Sequence, residues 1–92
     1  MNAQTENDDA PVRVIFRKWK DSGTVIALFP GLPADRRGNI QCYEHIGQHG
    51  AAWYAGVIAE TRPAKPEEYE SLRRELEAAP YNYRLAIRRR AR

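Results

Sequence analysis

The stretch Val12–Phe29, VRVIFRKWKDSGTVIALF, reads as strand, turn and strand. Val12–Trp19 is β-branched and aromatic, with Val12, Val14 and Phe16 on one face and Arg13, Ile15, Arg17 and Trp19 on the other. Asp21-Ser22-Gly23 carries the residue types of a tight turn. Thr24–Phe29 is apolar on both faces, which suits a strand in the middle of a sheet.

Working outward, Pro30–Asn39 (PGLPADRRGN) is expected to be a long loop carrying Arg36 and Arg37. Ile40–Ile46 reads as a third strand and Gly47–Ala52 as an irregular segment. Trp53–Glu60 (WYAGVIAE) reads as a fourth strand in preference to a short helix. Pro66–Ala79 is the clear helix: proline suits its first position, Glu67 and Glu68 complement its dipole, and Tyr69, Leu72, Leu76 and Ala79 form an apolar stripe. Pro80 stops it, and Tyr83–Arg88 alternates as a last strand. These elements predict an α+β fold: a mainly antiparallel four- to five-stranded sheet in the order β-β-β-β-α-β, with one helix packed on one face. Val14, Phe16, Tyr69, Leu72, Leu76, Leu85 and Ile87 then form the core, and the other face is partly open to water. Residues 1–10 are expected to be a disordered acidic tail, 11–90 a single domain, and 91–92 the end of a basic tail.

Ninety-two residues with one cysteine, Cys42, cannot form a disulfide framework. There is no apolar run of membrane-spanning length, and residues 1–9 lack a signal-peptide pattern, so a cytoplasmic protein is expected. The net charge of +3 hides a division. The tail (Glu6, Asp8, Asp9) and the helix each carry −3, whereas the remainder carries +9, thirteen Lys or Arg against Asp21, Asp35, Glu44 and Glu60. Such asymmetry favours an anionic partner.

Three blocks, VIFRKWKDSGTVIALFP (Val14–Pro30), CYEHIGQHGAAWY (Cys42–Tyr54) and TRPAKPEEYESLRRELE (Thr61–Glu77), precede a tyrosine-containing last strand. In this order the chain resembles a group of small uncharacterised bacterial proteins loosely associated with mobile genetic elements. The resemblance covers nearly all of residues 12–90 and implies a shared fold. No activity is established for the group, so it assigns no role to any residue.

Cys42, His45 and His49 (C-x2-H-x3-H) are zinc-ligating residue types, but on a strand Cys42 and His45 point to opposite faces, and neither metal nor cofactor is expected. Gly47–Gly50 holds Gln48 and His49 in what reads as a turn. His49 is a candidate base, yet Ser22 and Ser71 offer no nucleophile with an orienting partner, so no enzyme is expected. Arg13, Arg17 and Trp19 of the first strand, with Arg84 and Arg88 of the last, predict a basic aromatic face that Arg89, Arg90 and Arg92 extend. Arginine on phosphate and aromatics on bases suit nucleic acid, the leading partner class, although no recognised nucleic-acid signature is present. The alternative is a protein-interaction module or inhibitor of a host complex using Arg36, Arg37, Gln48, His49 and Trp53. Glu67, Glu68, Glu70, Glu75 and Glu77 read as the solvated face of the helix. No small-molecule substrate is expected.

Overall fold

A computed structural model describes residues 11–45 and 48–89. The expected tail (1–10), the expected strand end at Ile46, and residues 47 and 90–92 lie outside the described residues.

Strand β1 (Val12–Trp19) and strand β2 (Val25–Pro33) form the expected antiparallel hairpin, with Ile15 opposite Leu28 and Lys18 opposite Val25. The Trp19 N–H donates to Thr24 O (2.8 Å) and the Gly23 N–H to Trp19 O (2.9 Å). Gly23 has φ +80°, a backbone conformation in which only glycine is unstrained. β2 continues past Phe29 because its register against the next strand shifts between Phe29 and Pro33. That irregularity accommodates prolines, which cannot donate to a regular ladder. The expected ten-residue loop therefore shrinks to a tight turn. The Asp35 carboxylate accepts from the Arg37 N–H (2.8 Å) and from the Asn39 amide (2.9 Å), and Gly38 has φ +90°. The Asn39 amide and the Arg37 N–H hold the Asp35 pKa below its ordinary value.

Strand β3 (Ile40–Glu44) pairs with β2 and with β4 (Gln48–Ala52), so the segment expected to be irregular is a strand instead. Tyr54–Glu60, expected to be a strand, is helix α1. Tyr54, Val57, Ile58 and Thr61 recur at three, four and seven, the period of a helix face. The β-branched pair Val57-Ile58 hides this in so short a run. Strand β5 (Thr61–Pro63) follows, then α2 (Pro66–Glu77) and β6 (Leu85–Arg88).

The sheet is six-stranded in the order β4-β3-β2-β1-β5, with β6 also beside β1. Two short strands thus share the outer edge of β1. β6 runs parallel to Val12–Ile15, and β5 runs antiparallel to Arg17–Trp19. The fold is α+β and mainly antiparallel, as expected, but among the described residues it has two helices, and each sheet face packs against one of them. On one face Val14, Phe16, Ala27, Phe29 and Tyr43 pack under Leu72 and Leu76 of α2, with Tyr69, Leu85 and Ile87 beside them. On the other, Ile15, Ile26, Leu28 and Ile40 pack under Val57 of α1. This explains why β2 is apolar on both sides.

Most carboxylates of the acidic face of α2 are paired within the chain. Glu68 binds Lys18 (2.9 Å), Arg62 (2.7 Å) and the Lys65 N–H (2.8 Å), and these contacts, Arg62 foremost, hold its pKa far below the usual carboxylate range. Glu70 pairs with Arg73 and Arg74, and Arg73 reaches on to Glu77. No helix among the described residues is long and apolar enough to cross a membrane.

Candidate nucleic-acid interface

Alternation along β1 places Arg13, Ile15, Arg17 and Trp19 on the face that α1 covers. The two ends of this row meet different surroundings. Arg17, expected on an open face, is buried. Its guanidinium donates to Thr61 Oγ1 (2.9 Å), Thr61 O (2.8 Å) and Ile58 O (3.2 Å), and Thr61 Oγ1 in turn donates to Val57 O (2.7 Å). It thereby satisfies carbonyls at the C-terminal end of α1, where helices leave acceptors unpaired and favour positive charge. Burial lowers its pKa, and no carboxylate pairs with it among the described residues. Trp19 is half-buried, packs against the cluster of Ile15, Ile26, Leu28 and Val57, and donates Nε1–H to Glu44 Oε2 (2.7 Å). Neither residue is a free element of a binding face, which corrects the sequence expectation for both.

Arg13 and Arg88 behave differently. The β1–β6 register (Arg13 opposite Ala86, Ile15 opposite Arg88) puts them on neighbouring strands and one face. Both are exposed, and both line an open cavity of about 590 Å³ floored by Pro11, Val12, Leu32 and Ala86. Gly31 lies close enough that a Cβ there would stand 3.9 Å from the Arg13 guanidinium. Arg88 also lines a second cavity, of about 460 Å³, together with Arg89, Lys65, Phe16 and Tyr69. Neither lining contains a carboxylate among the described residues. Arg84 is exposed just before β6, and its carbonyl accepts from the Val12 N–H (2.6 Å).

The residues of the alternative reading do not form one patch. Arg36 and Arg37 lie on the Asp35-anchored turn, at the end of the sheet where Ile40 pairs with Ala52 and Trp53 follows. Trp53 is 71% exposed, its ring lying over Gly56, where a Cβ would come within 2.5 Å of it. Gln48 sits at the opposite end of β4, opposite Glu44. His49 packs edge-on against the rings of Tyr43 and Tyr81 (centroids 4.7 and 5.1 Å).

Cys42, His45 and His49 are not gathered into one site. Cys42 stands opposite Gly50 on the α1 face, whereas Tyr43 and His49 stand opposite each other on the α2 face. Burial pushes the Cys42 thiol pKa up. His45 Nδ1 instead meets Glu75 Oε1, while Glu75 Oε2 accepts from the Tyr43 hydroxyl. Sequence reasoning missed Glu75 by placing it on the solvated face. Its signal was its position beside Leu76 and three residues after Leu72, at the margin of the apolar stripe. His45 and Ser71 border a cavity of about 420 Å³ beside this cluster.

No protein-family model matches the chain, and comparison with curated proteins and with solved structures likewise returns no match.

Proposed function

We propose that this protein is a non-enzymatic binding module whose β1–β6 corner engages the phosphates of a nucleic acid through Arg13, Arg88 and Arg89. One observation supports the reading: Arg13 and Arg88 converge on the same open cavity, whose described lining residues include no carboxylate. On α2, by contrast, Glu68, Glu70 and Glu77 are already paired with lysine and arginine of the same chain. Guanidinium groups on a shared, solvent-open surface, with no carboxylate partner among the described residues, are what a phosphate ligand needs. The basic surface is smaller than the sequence suggests, since Arg17 and Trp19 have other partners. Binding to a fluorescent oligonucleotide should weaken with salt in proportion to the phosphates contacted, and Arg13→Ala with Arg88→Ala should flatten the log–log slope by about two. No binding at low salt, or a slope unchanged in the double variant, refutes the reading.

A second reading, a protein-interaction module, rests on Trp53. A largely exposed tryptophan follows β4, which has no outer strand neighbour among the described residues and carries no Lys or Pro to protect that edge. A partner captured from a bacterial lysate should then survive nuclease treatment and be lost with Trp53→Ala. A partner released by nuclease, or retained by the variant, excludes this reading.

A further inference from the structure

The outer edge of β1 is divided between two strands that approach from opposite ends. β6 pairs with β1 as far as Ile15 opposite Arg88, and β5 begins its pairing at Arg17 opposite Pro63. Between them lies Phe16, whose carbonyl is taken by the Ala64 N–H (3.0 Å) as the chain turns towards α2. The seam is hollow. The 460 Å³ cavity has Phe16, Tyr69 and Pro63 among its apolar walls and Lys65, Arg88 and Arg89 among its lining. The Phe16 and Tyr69 rings are stacked, with centroids 4.3 Å apart and planes 10° apart, so the aromatic wall is held by the sheet and α2 together.

From this geometry we infer that the seam is a nucleobase pocket, and that the ligand is a single strand with one base in the seam and its phosphates on the flanking cations. The inference rests on the phosphate-binding reading above and deepens it. The size suits one base with its sugar, the apolar walls suit the face of a flat aromatic ring, and the cations, with no carboxylate among the described lining residues, suit the phosphates that accompany it. Arg88 lines both cavities, so a phosphate bound beside Arg13 lies next to the seam. A duplex keeps its bases paired and stacked and has none to insert, whereas a single strand offers them freely.

The test compares three probes of equal length on the full chain: a single-stranded oligonucleotide, its abasic counterpart with the same phosphates, and a duplex. Wild-type protein should hold the single strand on the order of ten-fold or more tightly than the abasic strand. Tyr69→Leu, which keeps an apolar residue on the stripe, should bring the single strand down to the abasic level and leave abasic binding unchanged. Equal wild-type affinity for the single and abasic strands overturns the pocket while leaving phosphate binding in place, and needs no variant to fold. A preference for the duplex, or a full base preference retained in folded Tyr69→Leu, also overturns it. Failure to bind any probe removes the phosphate reading as well.

Discussion

Replacing Arg17 by alanine is expected to lower stability by about 2–4 kcal/mol, a large fraction of the roughly 5 kcal/mol available to a domain of this size. The guanidinium bonds link β1 to the last turn of α1 and to the first residue of β5. Without it, Ile58 O and Thr61 O lose a charged donor in a region where Thr61 is itself buried, and the vacated volume is not refilled. Thermal unfolding should shift down by roughly 10–30 °C. Arg17→Met restores packing but not the donors and should fall between the two. A variant that keeps its full melting temperature yet loses oligonucleotide binding would return Arg17 to the interface, as the alternation of β1 alone suggests.

Glu75→Ala is expected to cost about 1–3 kcal/mol, and the size of the loss depends on Tyr43. The Tyr43 side chain is fully buried, and its hydroxyl donates to Glu75, whose other oxygen meets His45. Removing the carboxylate leaves a buried hydroxyl without this acceptor, the expensive half of a hydrogen-bond deletion. Tyr43→Phe takes away the donor instead and leaves Glu75 with His45, so it should cost less. The double variant should be less destabilised than the sum of the singles by about 1 kcal/mol, as measured by urea unfolding. Strict additivity would mean that Glu75 is no pin between α2 and β3.

The contrast between these two sites and the arginine corner shows where the reading of residues reached its limit. Arg13 and Arg17 lie on the same face of the same strand, four residues apart, and nothing in the local pattern separates them. What separates them is α1, which covers one end of the row and leaves the other open. α1 was itself hard to read, since seven residues containing Val57 and Ile58 fit a strand about as well as a helix. Once that segment is taken for a strand, the face above Arg17 is left bare and the surface is overestimated. Glu75 turns inward for a related reason: its partners, Tyr43 of β3 and His45 just after it, lie some thirty residues earlier.

What the chain determined by itself was local. The hairpin follows from alternation around Asp21-Ser22-Gly23, and α2 follows from a proline start, the stripe Tyr69, Leu72 and Leu76, and a proline soon after its end (Ala79, expected on the stripe, lies past the helix), all set by contacts within a few residues. Tertiary structure decided which arginines stay in water, which carboxylate turns inward, and where β1 leaves a seam between two short neighbours. Those outcomes depend on pairings between distant segments. Burial is a property of the assembled layers, and no periodicity within one strand encodes what will be laid over it.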